Sequence, residues 1–381
     1  MVLPDYNKSI VNLMSSVMSG FGSRSIYKNL EEIPSKELKK SKNVVLLVID
    51  GLGYNYLSKK SSFLRDNLKC RITSVFPSTT ASAITTFLTG TAPQQHGITG
   101  WFMLLKEIGI VSRILPFGSR IKGLSFRNKL KIGELLNSVG FTDRIKESSY
   151  MIQHKDIVNS DFSKAMAKKS KKLGYSTLDG FFRQIKKAIK SHNRRKYVYA
   201  YWPLFDSVCH EYGVNSWKAE KHFYEIDKRI RKLIKGIDGT NTTLIVTADH
   251  GLIDTDKKKV ITLDDHPELK ECLTLILCGE PRTAYCYVHP SKAKKFESYV
   301  KKNLNECCTL YKSEYLLKNN YFGLFKPNPK LVDRIGDYIL VMKKNYIIKD
   351  SVLGQKKSFH IGNHGGISAD EMFVPLIVFK L

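Results

Sequence analysis

Six side chains of metal-ligating type fall at suggestive places in this sequence. Asp206 and His210 are four apart in DSVCH, and a helical turn would put both on one side. Asp249 and His250 are adjacent in ADHG. His364 sits in NHGG, where Gly365 and Gly366 permit a tight backbone. Asp50 closes the apolar run VVLLVI. Together these are three carboxylates and three imidazoles, enough for two zinc-type sites with open positions for a substrate. Taken singly, an Asp after a strand is more often a helix N-cap, and a lone His is more often a satisfied polar residue. Six together, most of them just after expected strands, point to metal chemistry.

A candidate nucleophile lies in FPSTTASAITTFLTG, residues 76–90. Pro77 and Ser78 break the preceding strand, and Thr79 or Thr80 can cap the helix that follows. That helix start also offers oriented N–H groups and a dipole suited to phosphate. A threonine hydroxyl is a poor nucleophile until a metal or base lowers its pKa.

Something must hold these groups together. Val44–Ile49 is a short, continuous, β-branched run, as in a strand buried on both faces. Similar runs are Tyr197–Trp202, Leu244–Thr247, Tyr285–Val288, Tyr338–Val341 and Val374–Val378. Helical patterns lie between them, such as Leu178–Lys190 and Lys218–Ile234. The alternation predicts an α/β fold, a mainly parallel sheet sandwiched by helices. Functional residues then gather at the carboxyl edge of the strands, where Asp50, Asp206, Asp249 and His250 fall. The segments at about 102–170 and about 290–360 fit the alternation less well and are expected as insertions capping one domain that spans residues 1–381.

Composition narrows the class. With 42% hydrophobic and 25% charged residues the chain is neither disordered nor collagen-like. The net charge of +27 suits an anionic partner, or is a lysine-rich background. No run reaches the roughly 18 apolar residues of a spanning helix, and residues 1–21 lack the pattern of a secretory signal. Seven cysteines, with no C-x-x-C pair, favour reduced thiols and a cytoplasmic setting. DDHPEL, residues 264–269, reads as a turn or a segment lying over the site. The basic runs Lys164–Lys172 and Lys186–Lys196 read as solvated helix faces, so nucleic-acid binding is not favoured.

Asp50, FPSTT-x(4)-TTFLTG-x-x-P-x-x-HGI, Asp206-x-x-x-His210, Asp249-His250-Gly251 and His364-Gly365-Gly366 occur in this order. The pattern resembles the alkaline phosphatase superfamily, and within it the nucleotide pyrophosphatase/phosphodiesterase branch. The resemblance implies an alkaline phosphatase-like fold and two Zn2+ ions, with Mn2+ an alternative. Asp206, His210 and His364 would bind one metal; Asp50, Asp249, His250 and the nucleophile Thr80 would surround the other. It also implies a phospho-threonine intermediate and a phosphorylated small-molecule substrate of nucleotide type. Tyr201, five before Asp206, matches the family's pocket tyrosine. Two departures stand out. Ala81 replaces an aromatic residue common after the nucleophile, and Trp101 stands where many members carry an asparagine that donates to a phosphoryl oxygen. Trp101 is a candidate to stack on a leaving group or to pack. A phosphomonoesterase of the same superfamily, and a nucleic-acid or membrane-surface binding protein on a retained hydrolase fold, are the competing readings. The sulfatase element C-x-P-x-R or S-x-P-x-R is absent at the nucleophile.

Overall fold

The computed structural model describes residues 1–121, 125–127, 129–136, 138–352 and 359–381. Seven strands form the main sheet: β1 (Asn43–Ile49), β2 (Leu68–Thr73), β3 (Ser148–His154), β4 (Lys171–Tyr175), β5 (Lys196–Trp202), β6 (Thr242–Thr247) and β7 (Phe373–Lys380). Their spatial order is β2, β7, β6, β1, β5, β3, β4. β1 pairs in parallel with β5 and β6, and β3 in parallel with β5 and β4. Only β7, the last strand in the chain, runs antiparallel to its neighbours β6 and β2.

The unbroken apolar run in β1 follows from where it sits. Every residue of β1, β5 and β6 is buried, so neither face calls for a polar alternation. Helices cover both faces: α1 (Ile10–Gly20), α2 (Thr80–Thr89), α3 (Leu178–Ile189), α4 (Leu204–Tyr212) and α5 (Trp217–Ile237). Alternation along β5 sorts them. Tyr197 meets Phe21, just beyond α1, edge-on at 5.8 Å. Trp202, on the opposite face, packs against Phe181 of α3 and His222 of α5.

The register decides where the chemistry goes. Asn43 is opposite both Lys196 and Thr242, and Ile49 is opposite Trp202. Three neighbouring strands thus start flush and end flush. Asp50, the turn into α4, and Ala248 to His250 all leave the sheet at one edge.

A second, antiparallel sheet flanks the first. Its order is Cys308–Lys312, Tyr338–Met342, Thr283–Cys286, Cys278–Glu280, Phe102–Leu105, Ile110–Arg113 and Gly118–Ser119. The runs Tyr285–Val288 and Tyr338–Val341, expected among the strands of the main sheet, belong here instead. Tyr338–Met342 is buried throughout because its sides face two separate cores. Leu340 and Met342 join Phe296 and Val300, while Ile339 and Val341 join Phe76 and Ile367. A continuous apolar run reports burial on both faces, not which sheet provides it.

The expected insertion boundaries also move. Residues 148–154, assigned to the first insertion, return to the main sheet as β3. The second sheet takes up Cys278–Glu280 and Thr283–Cys286, ahead of the second boundary at 290. Residues 122–124, 128 and 137 of the first insertion and 353–358 of the second lie outside the described residues. Among the described residues no helix is long and apolar enough to cross a membrane.

Candidate active site

α2 begins at Thr80, and Thr79 before it is extended, with φ −137° and ψ 151°. Thr79, a candidate cap, does not cap the helix with its hydroxyl, and neither does Ser78. Ser78 Oγ donates to the Gly366 carbonyl at 2.7 Å, and Thr79 Oγ1 donates to Glu280 Oε1 at 2.6 Å. The first N–H groups of α2 are thus left without a side-chain cap. The Thr80 hydroxyl lies 3.1 Å from His250 Nε2.

Each carboxylate around Thr80 uses one oxygen structurally and keeps one without a hydrogen bond, with His250 Nε2 3.4 Å from both Asp50 Oδ1 and Asp249 Oδ2. Tyr201 donates its phenol to Asp50 Oδ2. Asp249 Oδ1 accepts the backbone N–H groups of Gly51 and His250, each at 3.0 Å. Asp206 Oδ2 is 3.1 Å from His210 Nε2, the i,i+4 pair on α4. Asp50 Oδ1, Asp249 Oδ2 and Asp206 Oδ1 are buried without a hydrogen-bond partner. His210 Nδ1 donates to the Gly362 carbonyl at 2.7 Å, which orients the ring. The His250 and His364 rings stack at 3.8 Å.

Two glycines allow this crowding. Gly51 has φ +74°, and a Cβ there would lie 3.1 Å from Asp206 Cβ and 2.6 Å from Leu252 Cδ1. Gly365 has φ +106°, and its Cβ would lie 2.8 Å from Glu280 Cβ.

The ligand atoms of Asp206, His210 and His364 lie within 4.8 Å of one another, and so do those of Asp50, Asp249 and His250. Three buried carboxylate oxygens without a donor would be costly in a cavity that never holds a cation. Two groups of three oxygen and nitrogen ligands, each with room for further ligands, fit two divalent metals. The electrostatics agree. Burial, then the charges of Asp249 and Asp206, push the Asp50 carboxyl up. Burial also works to raise Asp206, but the imidazoles of His210, His364 and His250 outweigh it and hold Asp206 below the usual carboxylate range. Burial opposes a charge on His210, yet Asp206 pushes that imidazole up to about 9. Burial and then His250 drive His364 down.

A cavity of about 1440 Å³ opens over the cluster, with Asp50, Thr80, Trp101, Tyr201, His210 and His364 among its walls. Of the residues singled out from the sequence, Asp50, Thr80, Trp101, Tyr201, Asp206, His210 and His364 face this one space, while Asp249 and His250 are fully buried behind Asp50. Two more wall residues carry no signal in the sequence: Glu280, on a strand of the second sheet, and His360, whose ring is 4.7 Å from that of His210. DDHPEL does not line the cavity. It is a turn in which Pro267 opens a short helix and His266 bonds to the Tyr299 hydroxyl.

The sequence profile of the type I phosphodiesterase / nucleotide pyrophosphatase family matches residues 44–367. The fold is similar to that of murine ectonucleotide pyrophosphatase / phosphodiesterase 5, solved as an inactive variant in complex with AMP. That protein is 19% identical, with 87% of each chain covered and a TM-score of 0.67. The human ectonucleotide pyrophosphatase / phosphodiesterase 5 is also 19% identical, covering 88% of this chain and 87% of its own, at a TM-score of 0.67. At such identity the structures speak to fold alone, whereas the profile spans most of the 381 residues and both candidate metal groups. The chain belongs to the type I phosphodiesterase / nucleotide pyrophosphatase family.

Proposed function

We propose that this chain hydrolyses phosphodiester or pyrophosphate bonds of nucleotide-type substrates, with Thr80 as nucleophile and two zinc ions as cofactor, manganese being the alternative. The observation that carries the reading is the place of the Thr80 hydroxyl: at the uncapped start of α2, 3.1 Å from His250, beside two groups of three ligands. When bound, two divalent ions would lower the pKa of the Thr80 hydroxyl and neutralise charge on the leaving oxygen.

Thr80 Oγ, its proton given up to water, forms a bond to phosphorus as the bond to the leaving group breaks. The ester left on Thr80 is then cleaved by water, and Thr80 regains a proton. N–H groups of the first turn of α2 face the phosphoryl oxygens, the task the resemblance gives elsewhere to an asparagine that is Trp101 here. Tyr201 orients Asp50, and Trp101 forms a wall for the leaving group. The AMP complex of the murine relative supports a nucleotide substrate. The cavity, at about 1440 Å³, is larger than the roughly 300–1,000 Å³ of an ordinary ligand pocket and has room for groups on both sides of phosphorus, as a diester carries.

Thr80→Ala tests the reading. It should cost at least about a thousandfold in kcat on bis-p-nitrophenyl phosphate, about 4 kcal/mol in barrier, with the fold intact. Wild-type rates in that variant would overturn the nucleophile. A preference above about tenfold for p-nitrophenyl phosphate over its bis-ester would favour the monoesterase.

A further inference from the structure

Glu280 is a buried carboxyl in the cavity wall to which the chemistry above gives no task. It ends a strand of the second sheet and touches three segments of the site. Its Oε1 accepts both the Thr79 hydroxyl, at 2.6 Å, and the Trp101 N–H, at 2.7 Å. Its Cβ abuts Gly365, next to His364. Gly100 and Gly279 pack backbone to backbone beside it, since a Cβ on Gly100 would lie 2.8 Å from Gly279 Cα. Nothing in the burial of a carboxylate favours such a place. Two donors on one oxygen offset only part of that cost.

The consequence concerns Thr79. A threonine at a helix N-cap ordinarily turns its hydroxyl oxygen onto the N–H groups of the first turn. Thr79 has the extended backbone of an N-cap, but its hydroxyl is drawn the other way, onto Glu280. We propose that Glu280 is a positioning residue: by holding Thr79 off its own helix, it leaves the N–H groups beside Thr80 free for a phosphoryl oxygen. Through Trp101 it also fixes the cavity wall relative to the nucleophile. Without Glu280, Thr79 would cap α2 and compete with substrate for the same donors. The idea rests on the proposed placement of phosphate at the start of α2.

The test uses the zinc-loaded full chain. Glu280→Ala should lower kcat/KM on bis-p-nitrophenyl phosphate at least tenfold, and weaken inorganic phosphate binding measured by calorimetry, with zinc content and Tm held. Glu280→Gln, whose amide oxygen still accepts both donors, should restore kcat/KM to within threefold of wild type. Adding Thr79→Val to Glu280→Ala removes the competing cap, and should regain at least threefold over Glu280→Ala alone. A merely structural role predicts no such gain, so a double variant no better than the single one overturns the proposal, as does a Glu280→Ala protein within threefold of wild type. Should Glu280→Ala not fold, Glu280→Leu fills the space without accepting a hydrogen bond and carries the same expectations. Phosphate binding reports on the helix start whether or not Thr80 is the nucleophile. A failure of that role would therefore show in Thr80→Ala turnover and leave the Glu280 result readable.

Discussion

The Thr80 hydroxyl stands 3.1 Å from Nε2 of His250, although 170 residues separate them in the chain. Thr80 opens α2, and His250 leaves the carboxyl end of β6, so the contact exists only because helix and strand meet at one sheet edge. The His250 ring also stacks on His364 at 3.8 Å. One imidazole thus touches the candidate nucleophile and the ligand group on the far side.

Loss of a ligand should show first in metal content. Asp50→Ala and His364→Ala each remove one of three ligands from a different group. Zinc per chain, measured by plasma mass spectrometry, should fall from about two toward one in each. Unchanged zinc in both variants would sink the two-site assignment.

Much of this cluster is legible in the sequence, and the reason is physical. VVLLVI and its counterparts are apolar throughout because β1, β5 and β6 are covered on both faces, so the polar residue after each run marks an exit at the sheet edge. Glu280 carries no such mark. It ends the first of two antiparallel strands joined within CGEPRT, and only tertiary packing brings it to Thr79, 201 residues away. β3 was hidden for the opposite reason. SSYMIQH mixes polar and apolar residues, since Gln153 turns to the cavity wall and accepts from Ser163.

Metal affinity should depend on pH through His210. In the metal-free chain Asp206 holds that imidazole protonated up to about 9, whereas a ligand must be neutral. Below that pH a proton competes with the metal, so affinity should rise by up to about tenfold per pH unit from 6 toward 9 from this group alone. Asp206, already held below the usual carboxylate range, adds no such dependence above pH 5. Competition with a chromophoric chelator across pH 6 to 9 measures it. A flat profile for both equivalents of zinc would refute the assignment of His210.

Tyr201→Phe removes the donor that holds Asp50 Oδ2 while leaving the aromatic ring. Groups that orient a ligand are typically worth about 10–100-fold in metal affinity or activity. Zinc affinity at the Asp50 group should fall by about that range, and kcat/KM with it. Wild-type values for both would mean that Tyr201 only fills space.

The most direct test asks where the phosphoryl group goes. The zinc-loaded chain is mixed with bis-p-nitrophenyl phosphate, quenched in acid during turnover, digested, and its peptides weighed. The account predicts a p-nitrophenylphosphoryl group on the peptide that carries Thr80, with one equivalent of p-nitrophenol released for each adduct. A burst of p-nitrophenol with that group on another residue, or on none, would contradict it.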